Sequence, residues 1–186
     1  MKLDSFKHLY MEELRDLYDA EHQLLKGLPV VADAAFLPEL RQAFADHIQQ
    51  TKTHIERLEE IFQALGTDPL GNPSKTMAGL IEECNDLVRE ERKADPGVLD
   101  AALIAAMQKI EHFGIAGYGC ARTFAEILGE KEATHLLQQS LDEKGQTNRL
   151  LNSLALRSVN LEAVEATDDQ SDLEEAVVSV LETTEN

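Results

Sequence analysis

The chain reads as an all-α protein, a bundle of four antiparallel helices made of two helical hairpins, with a short fifth helix in the crossover and an acidic tail. Three observations predict this. Apolar residues recur at three- and four-residue intervals over stretches far longer than a strand. Gly and Pro cluster at a few places between long runs of Ala, Leu, Glu, Gln and Lys, which favour helix. Two glutamates, Glu21 and Glu111, fall inside the apolar stripes of two such runs, in two similar halves of the sequence.

The first helix is predicted from about Ser5 to Ala35, with Asp4 or Ser5 as cap and Leu14, Leu17, Tyr18, Leu24, Leu25, Leu28 and Val31 at helical spacing. Pro29 should kink it, and Pro38 marks the next start. The second helix carries Leu40, Phe44, Leu58, Ile61 and Leu65 and ends at Gly66. Breakers over 67–74 precede a shorter helix from about Lys75 to Arg92, and Asp95-Pro96-Gly97 interrupts again. The third long helix runs from about Val98 to Leu128, where Gly129 suits a C-terminal cap, and the fourth from about Glu130 to Val159. Residues 1–160 thus form the bundle and 161–186 an acidic tail. Arg57-Leu58 and Arg149-Leu150 recur at matching depth in the two return helices, which suggests a duplicated hairpin.

With 186 residues the chain suits one domain with a sizeable core. Its net charge of −18 argues against nucleic acid or an anionic membrane as partner. Nine acidic residues and no Lys or Arg lie between Glu162 and Asn186, so half the net charge sits in the tail. That tail is read as a solubilising segment, or as a docking segment for a protein partner through Leu173, Val177, Val178 and Leu181. Cys84 and Cys120 are too few for a disulfide scaffold and fit a reducing cytosol. No apolar leader or membrane-length span is present, so a soluble, cytoplasmic protein is expected.

The polar residues on the inward faces carry the functional question. Glu21 is framed by Leu14, Leu17, Tyr18, Leu24 and Leu28, and Glu111 by Met107, Ile115 and Tyr118. The second helix places His47, Thr51 and His54 in its apolar stripe with Gln50 on the edge; the fourth places Lys144 inward, with Glu143 and Asn148 alongside. Hairpin geometry puts these residues near one level of the bundle. A carboxylate in a helical core needs a proton, a metal, a cation or a hydrogen-bond network. Dinuclear iron or manganese bundles use one Glu from each of two helices and Glu-x-x-His from each of the other two. Glu21 and Glu111 supply the single glutamates, but the return helices lack the motif at that level. The literal Glu132-x-x-His135 starts the fourth helix, about 18 Å from the level of Glu111, and is read as a solvated pair. His47 and His112 are read as structural histidines, and Tyr18 and Tyr118 as core aromatics.

The segments Leu17-Tyr18-Asp19-Ala20-Glu21-His22-Gln23-Leu24, Glu56-Arg57-Leu58-Glu59, Leu80-Ile81-Glu82-Glu83, Asp100 to Ala106, Glu111-His112 and Leu136 to Glu143 resemble the bacterial YciE/YciF-like, ferritin-like stress proteins. The resemblance covers roughly residues 5 to 155. It implies a ferritin-like bundle, a homodimer and, in typical members, a dinuclear metal site. It also implies glutamates where this chain has Gln50 and Gly114, and a Glu-Glu pair where it has Glu143-Lys144. Those departures remove a bridging charge, delete a ligand and bring a cation to the metal's place.

Two functional readings result. In the first, the chain is a stress-associated helical protein with a degenerate centre, acting by dimerisation or partner binding, with Lys144 as the buried cation replacing metal. In the second, Glu21, Glu111, Glu143 and His54 retain an iron or manganese ion, and only a dinuclear centre would make the chain a metal-dependent oxidoreductase of the ferritin-like type. The first, with no catalytic residues and no bound metal, is the expectation.

Overall fold

The computed structural model describes residues 4–90 and 93–166, and among these helix is the only regular secondary structure. Helix α1 spans Phe6–Ala34, α2 Pro38–Leu65, α3 Lys75–Arg89, α4 Pro96–Leu128 and α5 Lys131–Leu154. Local chemistry sets these limits. Ser5 caps α1 by accepting the His8 amide at 3.1 Å, and Ser74 and Asp95 cap α3 and α4 in the same way. Proline occupies the first turns of α2 and α4, where its missing N–H costs nothing. Gly66 and Gly129 end α2 and α4 with φ of 62° and 79°, a left-handed conformation that glycine adopts without a Cβ penalty. Helix α1 continues unbroken through Pro29.

The fourth long element differs from its expected form. Regular α-helix stops at Leu154, a π turn covers Ala155–Val159, and α6 (Asn160–Ala166) follows. The π turn keeps both Ala155 and Val159 buried. Helix α6 then lies on the first turn of α4, where a Cβ at Gly97 would meet the Ala163 amide nitrogen at 2.9 Å. Helical structure therefore extends past residue 160. The tail residues Leu173, Val177, Val178 and Leu181 lie outside the described residues.

Helix α1 packs on α2, and α4 on α5, as two hairpins; α1 also faces α4, and α2 faces α5. The α1/α4 register is antiparallel, since Phe6 stacks on Phe124 near one end while Asp100 holds the chain at Phe36 and Leu37 near the other. The buried carboxylate of Asp100 accepts the Phe36 and Leu37 amides at 2.8 and 2.7 Å, satisfying the start of the α1–α2 turn. The crossover is pinned to α1 by Asp19, which accepts the Ser74 amide at 2.6 Å.

The core falls into two apolar clusters. One holds Leu24, Leu28, Phe44, Met77, Leu103 and Met107; the other holds Tyr10, Leu14, Leu58, Phe62, Ala125 and Leu137. Each buried Leu or Phe contributes about 1.5–3 kcal/mol of transfer free energy. The two clusters clamp a layer of buried polar side chains near the middle of the bundle. Among the described residues no helix is long and apolar enough to cross a membrane.

Candidate functional site

All four long helices contribute to that layer: Glu21 from α1, His47, Thr51 and His54 from α2, Glu111 and Tyr118 from α4, and Lys144 from α5. The helical stripes aim them inward, and apolar residues one turn above and below seal them from water. Lys144 is 2% exposed, Glu21 3% and Glu111 0%.

The ammonium of Lys144 occupies the centre. Its Nζ lies 3.2 Å from Glu21 Oε1 and 3.4 Å from Oε2, and 3.5 Å from His47 Nε2. Glu111 Oε2 stands further off, at 4.0 Å. The Tyr118 hydroxyl donates to Glu21 Oε1 at 3.0 Å. Burial alone would raise the Glu21 carboxyl, but Lys144 and the His54 ring hold it below the ordinary carboxylate range. Burial pulls Lys144 down, yet Glu21 and Glu111 more than offset this and keep it above its ordinary value. The diagonal pair is therefore an ion pair at neutral pH.

Glu111 behaves differently. Burial pushes its carboxyl up to about 7, with Lys144 too distant to cancel the effect. Burial and then Lys144 drive the His47 imidazole well below its usual value, so it is neutral. Glu111 Oε1 lies 3.1 Å from His47 Nε2. The contact is outside hydrogen-bonding geometry, so neither carboxylate oxygen has a hydrogen-bond partner.

His54 links the layer to the surface. Its Nε2 meets Glu143 Oε2 at 2.9 Å, and its Nδ1 lies 3.3 Å from Glu21 Oε1, outside hydrogen-bonding geometry. Glu143 in turn takes a bidentate bond from Arg57 at 2.7 and 2.8 Å. Hydrogen bonds from Arg57 first, and His54 second, lower the Glu143 carboxyl to about 2. Lys144, Glu21, His54, Glu143 and Arg57 follow one another from the core to the edge between α2 and α5.

Glu21, Glu111, His54 and Lys144 thus converge as their spacing predicts. Glu143 sits one shell outward, on His54 and Arg57. Gln50 stays at the edge, accepting from Thr147 at 2.9 Å, and Asn148 is half-buried. His112 is exposed, and His22 stacks on Tyr18 at 4.5 Å, outside the layer. Glu132 and His135 are both exposed. Sequence reasoning kept His47 out of the central set, although it lies one heptad before His54 on the same stripe. It also missed the Arg57–Glu143 clamp, because the partners are 86 positions apart.

A metal ion needs donors at about 2.0–2.2 Å, whereas the carboxylates and His47 stand 3.2–4.0 Å from the ammonium that separates them. Among the described residues no three His, Cys, Asp or Glu side chains converge closely enough to hold an ion. The residues present fit a tethered ammonium, not a dinuclear metal.

Fold and site together define a class, the all-helical bundles with a buried, charge-bearing centre. Within it, the chain belongs to the family described as "Domain of unknown function (DUF892)", whose model matches residues 5–164. It is 37% identical to Protein YciF of Escherichia coli (strain K12) over 164 residues, 88% of this chain and 98% of that protein. The crystal structure of the E. coli stress protein YciF matches with a TM-score of 0.81 at 36% identity, covering 85% of this chain and 99% of that one. YcfI from Rhodopseudomonas palustris matches with a TM-score of 0.77 at 35% identity, covering 82% and 98%.

Proposed function

We propose that this chain is a cytoplasmic, stress-associated helical protein of ferritin-like type whose centre is neutralised by its own lysine, and which acts through dimerisation or partner binding. The observation that carries the reading is the position of Lys144 Nζ, 3.2 Å from Glu21 and surrounded by the inward donors of the other helices. A fixed ammonium supplies one positive charge with no exchangeable coordination position and no redox couple. The Glu21 carboxylate then has its counter-charge without depending on metal supply. The likeness to a protein described as a stress protein supports the cellular context.

One observation favours the alternative of a metal-handling, oxidoreductase-type centre: both oxygens of Glu111 are buried without a hydrogen-bond donor. That alternative requires Lys144 to leave the position among Glu21, Glu111 and His47. Growth with added iron and manganese followed by metal analysis separates the two. Substoichiometric metal supports the lysine-filled centre, and metal bound in proportion to protein rejects it. A Gln50→Glu, Gly114→Glu, Lys144→Glu variant is expected to gain metal that the parent lacks.

A further inference from the structure

Lys144 can lie where it does only because of a residue on another helix. Gly114 sits mid-way along α4, buried, where glycine is unfavourable relative to alanine because of its greater loss of backbone freedom. Its backbone is ordinary right-handed helix, so no positive φ requires glycine there. The requirement is space. A Cβ at position 114 would lie 3.0 Å from Cε, 3.1 Å from Cδ and 3.4 Å from Cγ of Lys144. All three nearest atoms belong to the lysine stem. By contrast, Gly119, one turn further along α4, has nothing within 4 Å of a built Cβ.

We infer that Gly114 is the specificity-determining residue of the bundle centre: its missing side chain is the seat of the Lys144 stem, and it selects a tethered ammonium as the resident cation. Any side chain at 114 must push on the last two methylenes, the part of the stem that carries Nζ. The ammonium then moves off Glu21, its hydrogen-bonded partner at 3.2 and 3.4 Å. Gly114 acts through Lys144, so it is a positioning residue. The inference rests on the reading of Lys144 as resident cation, but the two fail separately.

The test is a cycle in the full chain: wild type, Gly114→Ala, Lys144→Ala and the double variant, read by thermal unfolding and by NMR of the lysine ammonium. A buried, ion-paired ammonium exchanges slowly with water and gives a resolved signal that exposed lysines do not. Gly114→Ala is expected to shift or broaden that signal while the circular dichroism spectrum stays helical. It should also lower the melting temperature more in the Lys144 background than in the Lys144→Ala background, by about 4 °C or more. Equal changes in both backgrounds with an unmoved ammonium signal overturn the inference. Should Lys144→Ala fail to fold, the signal of the Gly114→Ala protein decides: shifted upholds the inference, unmoved overturns it. Stoichiometric metal in the wild type would instead sink the resident-cation reading, whatever the coupling.

Discussion

Replacing Lys144 by methionine keeps most of the stem and removes the charge, leaving Glu21 alone in the core. At the 3.2 Å separation of Nζ from Glu21 Oε1, the attraction at an effective dielectric constant of roughly 20 is about 5 kcal/mol. The loss is limited because Glu21 can take up a proton. Glu111, a neighbour at the same depth without a close cation, has its carboxyl pushed up to about 7. Driving Glu21 from its ordinary range to that value costs about 3 kcal/mol at neutral pH. The expected destabilisation is therefore about 3–5 kcal/mol, the usual cost of breaking a buried pair, or about 10 °C in Tm for a chain of this size. The sign with pH is distinctive. A carboxyl whose folded pKa is raised contributes most below its unfolded value and loses that contribution as pH rises through the folded one. The deficit of Lys144→Met should be largest near pH 8 and narrow toward pH 5. Thermal unfolding of metal-free protein, followed by circular dichroism, reads both. An unchanged Tm at pH 7.5, or a deficit that does not narrow on acidification, would mean that Glu21 does not depend on Lys144 for its charge.

Three further outcomes are expected. Glu111→Gln removes a group with a raised folded pKa, so the variant should gain stability relative to wild type as pH climbs from 5 to 8; urea titrations at each pH measure the difference. Arg57→Ala frees Glu143 at a partly exposed position, costing about 1–2 kcal/mol because water screens the clamp. Since the Glu143 carboxyl is held down to about 2, stability from this pair is present above pH 4.5 and lost toward pH 2; the variant should lose less on acidification over that range. Asp100→Ala leaves the Phe36 and Leu37 amides without their acceptor at the half-buried α1–α2 turn, for about 1–3 kcal/mol by denaturant unfolding.

Much of the fold was legible because long amphipathic helices announce themselves locally. The stripe through Leu14, Leu17, Glu21, Leu24 and Leu28 gives both the helix and the inward direction of Glu21, and Gly66 and Gly129 mark ends through backbone geometry that any neighbour would require. Helix depth brought Glu21, His54, Glu111 and Lys144 to one level before any contact was known. What remained hidden depends on side chains meeting across the bundle. Whether Lys144 pairs with Glu21, Glu111 or Glu143 is a choice among three acids on the same level, decided by rotamers and by the seat at Gly114. The bidentate Arg57–Glu143 clamp and the contact of His47 with Glu111 have no local signature. The π turn at Ala155–Val159, which leads into the contact of α6 with Gly97, likewise has no local signature.

On the proposed reading, Lys144 stands where a metal ion would otherwise sit. Protein produced with added iron and manganese, purified without chelators and analysed for bound metal per chain, tests it most directly. With Lys144 Nζ among Glu21, His47 and Glu111, metal far below one ion per chain is predicted. About two ions per chain, released by chelation and restored on reloading, would contradict it.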